Sequence, residues 1–294
     1  MLNIPVEYRI KQTIANMERL RWQPDDLGQR YVYVNVPAYH LVASSNGQIN
    51  LSMKVVVGRP QRATPIFSDS IRMVEFNPDW HVPPTIARED VLPHLRDNPY
   101  YALEVKNVRM YQNGVEVDPA TVDWHTADIR KFRLRAPPGP RNPLGTVKFL
   151  FPNRFDVYLH DTSEPSLFVK NDRALSSGCV RVADPASLAN WLLGPDQANW
   201  SEERRARIMA SERQTRLIMK TPVPVYLAYV TAWLSQNQLP AFRPDIYDLD
   251  GELIKAIDDV SSKPRRMVAT MARANAGTQI DPTVNDGPVQ VAAP

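Results

Sequence analysis

The apolar residues of this chain follow two alternating spacings. Ile10, Ile14, Met17 and Leu20 recur at helical intervals over residues 6–21, and such a stripe predicts an amphipathic helix. Gly28 closes the loop that follows. The stretch YVYVNVPAYHLVA (31–43) is β-branched and aromatic and predicts a strand. Asn46-Gly47 is a type I′ hairpin signal, LSMKVVVGR (51–59) is the return strand, and IRMVEF (71–76) is a third. The first part of the chain is therefore expected to build an antiparallel sheet.

Residues 77–145 carry a different pattern. NPDWHVPPTIAREDVLPHLRDNP is broken by prolines and has room for one short helix. KNVRMYQ, Asn113-Gly114 and VEVD predict a small hairpin, and RAPPGPRNPLG (135–145) is a connector. The whole stretch reads as a cap inserted on the sheet, because long irregular insertions in a compact domain usually serve function. TVKFLF (146–151) and DVYLHD (156–161) are two more strands. Asp184-Pro185 starts a helix by the N-cap and N1 preferences, with Leu188, Trp191 and Leu192 on one face. SEERRARIMASERQTRLIMK (201–220) predicts a charged helix with Ile208, Leu217 and Ile218 inward, PVPVYLAYVTAWL (222–234) a late strand, and DGELIKAIDDV a last short helix. The division is a helical lead-in over 1–30, a main domain over 31–260 with its cap at 77–145, and a mobile tail over 264–294, where periodicity is lost.

Composition narrows the class. With 294 residues the chain can bury a proper core, and no apolar run reaches the length that spans a membrane. Net charge is +3, too mild to argue for nucleic acid as a partner. The start lacks the features of a secretory signal, so the chain by itself reads either as cytoplasmic or as lacking its natural N-terminus. A single cysteine, Cys179, excludes an internal disulfide and a cysteine-based zinc site. His81 and His94 find no pairing for a metal.

That cysteine lies in SSGCVRV (176–182). A lone thiol is more often a small buried hydrophobe than a nucleophile. The surroundings argue otherwise. His160 sits at the end of an apolar strand, with eighteen residues between it and Cys179, and a nucleophilic cysteine needs such a base. Gly178 permits a tight turn, and the amides of Ser177, Gly178 and Cys179 suit an oxyanion nest. Asp161, next to His160, is placed to hold the imidazole tautomer.

The span resembles the L,D-transpeptidases of bacterial cell-wall synthesis. Their pattern is His, fourteen to seventeen residues, Ser or Thr, His, Gly, Cys, an apolar residue, then Asn or Arg. Here fifteen residues separate His160 from Ser176, and Gly178, Cys179 and Val180 follow in place. Ser177 replaces the second His, and Arg181 stands where Asn is commoner. The S-x-G-C-x-R form is similar to the large Gram-negative branch. MERLRW (17–22), YVYVNVPAYHL (31–41), VVVGRPQRATPIF (55–67), NPDWHVPP (77–84), LGTVKFLFPN (144–153) and PVYLAYVTAW (224–233) agree with it.

The resemblance implies an α+β fold that is mainly β: a β-sandwich or mixed sheet with an inserted cap and peripheral helices. It implies a periplasmic enzyme, membrane-anchored in its full-length form. Cys179 is the expected nucleophile and His160 the base and later the acid, with Ser177, Gly178 and Asp161 as oxyanion or orienting groups. Tyr158, Ser176, Arg181 and Trp80 are expected to contact substrate. For Arg181 a structural pair with a nearby acid stands beside a contact to a substrate carboxylate. Trp80, Trp124, Arg133 and Arg135 either grip the stem or glycan, or the tryptophans pack the cap and the run IRKFRLR (129–135) alternates across a strand as a solvated basic face. Implied partners are donor and acceptor peptidoglycan stem peptides, cell-wall synthases and carbapenem-type inhibitors. A hydrolase acting on the same bond and a non-catalytic wall-binding scaffold remain alternatives.

Overall fold

The computed structural model describes residues 4–262 apart from 236. The tail expected over 264–294 lies outside the described residues. Residues up to Asp250 form one compact unit; those from Gly251 on form a second, described only as the helical run to Ser262.

Nine strands form the main sheet: β1 (Arg30–Asn35), β2 (His40–Ser45), β3 (Gln48–Gly58), β4 (Phe67–Phe76), β9 (Val147–Leu150), β10 (Leu159–His160), β11 (Ala174–Ser176), β12 (Val180–Val182) and β13 (Thr215–Ala228). Between β4 and β9 run β5 (Trp80–His81), β6 (Arg109–Gln112), β7 (Val115–Val117) and β8 (Arg133–Ala136). The main order is β11-β3-β12-β10-β9-β4-β13-β1-β2, and β2 also pairs with β3, so the strands close into a ring. β3 manages this by its length: residues 48–54 pair with β2 and residues 55–58 with β12 and β11. The sheet is mixed, because β1 with β13, β10 with β12 and β11 with β3 are parallel. The overall class is mixed α/β and rich in strand.

Several local expectations change. The run 31–43 is two strands rather than one. Pro37, which has no amide hydrogen to give a ladder, lies in a short 3-10 turn, and Tyr39 takes a left-handed φ of 54° before β2 begins. The helix predicted over 201–220 spans only Glu202–Ala210, capped by the Ser201 hydroxyl. Glu212 turns the chain with φ 51°, and from Thr215 the side chains alternate with period two. Met219 goes in, whereas Ile218, expected inward, is exposed.

The first helix, Val6–Arg21, packs on its polar side. It buries Gln12, Ala15, Asn16 and Arg19, while Ile10, Ile14, Met17 and Leu20 remain about half exposed. The cause is Asp250, which is fully enclosed. Its carboxylate pairs with Arg19 and accepts from Gln12 Nε2 (3.1 Å) and Thr231 Oγ1 (2.7 Å). Asn16 adds bonds to the amide and hydroxyl of Thr231. Half-exposing an aliphatic side chain forfeits about 1 kcal/mol. Leaving a buried charge unpaired costs about 3–5 kcal/mol, with about 1–3 more for each orphaned polar group. The polar network wins.

The register of the main sheet sets the site. Leu217, Val74, Phe149, Leu159 and Val180 form one cross-strand row on the core face. One residue along, Arg216, Glu75, Lys148, His160 and Arg181 form the next row, on the opposite face. Strands β5-β8-β6-β7 make a second sheet, with its own core of Trp80, Leu95, Met110, Trp124 and Leu134 among others. Tyr158 packs against both cores.

Candidate active site

Lys148, His160 and Arg181 of that ionic row form part of the floor of a cavity of about 1030 Å³. Cys179, His160, Tyr158, Lys148, Arg181 and Trp80 all line it. His160 is buried at the end of β10, and its Nδ1 lies 2.5 Å from the backbone oxygen of Asp161. A carbonyl only accepts, so Nδ1 carries the proton and Nε2 presents a lone pair. Burial, reinforced by the cations of Arg181 and Lys148, lowers the imidazole pKa to about 3. The ring is therefore neutral at neutral pH, in the tautomer a general base needs.

Asp161 orients His160 through its backbone. Its carboxylate is occupied elsewhere, accepting from the amide and hydroxyl of Thr146 (2.8 Å each) and from the Thr162 amide (2.7 Å). Gly145 makes room for it. A Cβ there would stand 2.3 Å from Asp161 Cγ, and φ at Gly145 is +60°.

The loop bearing the cysteine is held from within. The Ser176 hydroxyl donates to the Cys179 carbonyl (2.5 Å) and accepts from the Gly178 amide (3.2 Å). Ser176 is buried, lines the cavity and shapes the turn through its hydroxyl, and the Gly178 amide, expected as an oxyanion donor, is bonded to that hydroxyl. Gly178 contributes its φ of +118° instead. The Ser177 and Cys179 amides have no protein acceptor among the described residues. Cys179 Sγ points at the Asp156 carbonyl at 3.8 Å. Burial pushes the thiol pKa up, and the Tyr158 amide and hydroxyl and the Lys148 cation only partly offset that.

Residues 29–225, two-thirds of the chain, match the YkuD family, the L,D-transpeptidase catalytic domain. The chain belongs to that family. A Haemophilus influenzae protein named "Putative L,D-transpeptidase" is 37% identical to it over 249 residues, 84% of this chain and 50% of that protein. The chain thus spans about half the length of this curated relative. Among solved structures it is similar to the E. faecium L,D-transpeptidase catalytic domain acylated by ertapenem, at 13% identity over 68% of this chain and 97% of that one (TM-score 0.34). The same domain without the drug gives 13% identity over 70% and 100% (TM-score 0.33). Overlaps of that depth transfer no site geometry.

The remaining candidates of this L,D-transpeptidase domain divide by what they touch. Arg181 pairs with Glu164 (2.6 Å) and donates to Thr162 Oγ1 (3.3 Å) through one nitrogen, while its buried Nε has no partner among the described residues. Trp80 is buried in the second core and turns one edge to the cavity. Trp124 is buried, with its indole N–H donated to the Pro119 carbonyl. Arg135 is paired with Asp79 (2.6 Å), and Arg133 is exposed outside the cavity lining. His81 lines the cavity and His94 stacks on Tyr101. Among the described residues no three His, Cys, Asp or Glu side chains are placed to hold a metal ion.

Sequence reasoning missed the supports of the loop. Thr64 accepts from the Gly58 amide (2.9 Å) and donates to the Gly178 carbonyl (2.8 Å), and Tyr247 donates to the Gly58 carbonyl (2.6 Å). Arg62 holds Ser177 Oγ (3.1 Å) while paired with Asp90 and Glu89 (2.6 Å each). These contacts join residues far apart in the chain, and no local motif announces them. Lys148 was also passed over, as one residue of an apolar strand.

Proposed function

We propose that this domain is a peptidoglycan L,D-transpeptidase that forms 3→3 crosslinks through a Cys179 thioester, acting outside the cytoplasmic membrane where that polymer lies. The supporting observation is that Cys179 and a neutral, correctly protonated His160 line one cavity. The donor is a stem tetrapeptide. Sγ attacks the carbonyl of its third residue, a diamino acid, while His160 Nε2 takes the thiol proton. The C–N bond to the terminal D-Ala breaks, and Nε2 returns that proton to the leaving amine. The side-chain amine of a second stem then attacks the thioester and loses a proton to Nε2. The C–S bond breaks, and the thiol is restored with that proton. The free Ser177 and Cys179 amides suit the oxyanion of each tetrahedral intermediate.

The pair starts neutral, with a raised thiol pKa and a depressed imidazole pKa. Proton transfer therefore accompanies attack, in contrast to a stored thiolate–imidazolium pair. The cavity, of about 1030 Å³, reaches the upper end of the ~300–1,000 Å³ typical of small-molecule sites, which leaves room for a donor and an acceptor stem.

Incubation with a disaccharide tetrapeptide, followed by mass analysis of the products, tests this reading. Crosslinked dimers and free D-Ala are expected, and Cys179→Ala should yield neither while remaining folded. Tripeptide without dimer would make the domain an L,D-carboxypeptidase. Absence of any product, together with no covalent carbapenem adduct at Cys179, would leave a wall-binding scaffold.

A further inference from the structure

The cavity floor contains a cation with no hydrogen-bonded or ion-paired partner among the described residues. Glu75 lies between Arg216 and Lys148 across the strands. It is engaged from the other side, paired with Arg216 (3.5 Å) and bonded to Gln214 Nε2. Across β10, Lys148 faces His160, a neutral neighbour. The Lys148 ammonium rests 4.0 Å from the centroid of the Tyr158 ring and, among the described residues, has no carboxylate or carbonyl partner. It lines the same cavity as Cys179. A half-buried ammonium held on an aromatic face, with its remaining donors open to a cavity, is suited to an anion.

We propose that Lys148 is a substrate-binding residue that takes the terminal carboxylate of the donor's leaving amino acid. This rests on the acyl-transfer reading above. A donor that loses a single C-terminal residue carries its carboxylate one residue, about 3.8 Å, beyond the scissile carbonyl. Tyr158 lies beside both groups: its ring carries the ammonium, and it lines the same cavity as Cys179. Of the other cations lining the cavity, Arg181, Arg59 and Arg62 already hold carboxylates, and Lys106 enters from the end of the helix Tyr101–Lys106 rather than from the row that carries His160. Lys148 is thus the group that distinguishes a free terminal carboxylate from a continuing peptide or an amide.

The test compares the wild type, Lys148→Met and Lys148→Arg on two donors, the tetrapeptide with a free C-terminal carboxylate and its C-terminal amide. The wild type should acylate faster with the free acid. Lys148→Met should lose about tenfold or more on the acid and little on the amide, as expected for one charge-assisted contact. Lys148→Arg should keep part of the preference. Equal losses on both donors, or no loss on the acid, would overturn the proposal. A second readout does not depend on peptidase activity. Iodoacetate and iodoacetamide both react with the thiolate, so the ratio of their rates cancels the thiol pKa and reports the local cation. That ratio should fall about threefold or more in Lys148→Met, and an unchanged ratio would refute an anion site at Lys148. If the wild type processes neither donor yet the ratio still falls, the acyl-transfer reading fails and the donor assignment with it, while the anion site stands.

Discussion

Replacing His160 with asparagine should remove a specific part of the acid sensitivity of this fold. The imidazole is buried and neutral, with its pKa lowered to about 3 by desolvation and by Arg181, against about 6.5 in an unfolded chain. The unfolded state therefore binds the proton first. Stability must fall as pH drops through 6.5, and the loss levels off only near the folded value. At pH 5 the unfolded imidazole is about 1.5 pH units below its pKa and the folded ring is still neutral, a loss of about 2 kcal/mol relative to pH 7.5. The figure barely changes if the folded pKa is nearer 4, because the ring is neutral at pH 5 either way. Asparagine keeps an N–H for the Asp161 carbonyl but does not titrate. Urea unfolding of both proteins at steps from pH 5 to 7.5 measures the effect. The stability advantage of the wild type over His160→Asn should shrink by about 2 kcal/mol across that range. Parallel pH curves would show that position 160 does not hold a buried neutral imidazole, and the assignment of Nε2 as a base would fall with it.

Alkylation of Cys179 by iodoacetamide should keep rising with pH beyond the ordinary thiol range, with no shoulder between pH 4 and 7, because burial raises the thiol pKa and no imidazolium partners it; a plateau at mildly acidic pH would contradict the neutral pair. Gly145→Ala forces a Cβ against Asp161 at a left-handed φ and should cost about 1–3 kcal/mol in thermal or urea unfolding, with Cys179 labelling altered as the His160 support shifts. Thr64→Val leaves the Gly58 amide and the Gly178 carbonyl without their partner and should cost about 2–4 kcal/mol by the same measurement. Asp250→Ala strands the buried Arg19 guanidinium and should cost about 3–5 kcal/mol, whereas Ile10→Ser on the exposed side of the same helix should change stability by less than about 1 kcal/mol.

The sequence by itself determined what depends on near neighbours. Asn46-Gly47 and Asn113-Gly114 turn their hairpins because asparagine and glycine accept left-handed backbone, Asp184 caps its helix, and alternation marks β3, β4 and β9. The His160–Cys179 spacing was legible for the same reason: a strand end and a return loop lie close in the chain, and both residues come to one cavity. What only the tertiary structure decided depends on which groups the folded chain brings together. The apolar stripe of the first helix predicted the wrong packing side, because the deciding interaction is with Asp250, more than two hundred residues later. Ser176 and Gly178 look available in the motif, but the folded loop bonds them to each other. Lys148 looks like a solvent-side lysine in a strand until β4, β10 and Tyr158 enclose it and Glu75 is taken by Arg216. Hydrophobic period and turn chemistry are local properties, but whether a buried polar group is satisfied depends on which strands the fold brings beside it.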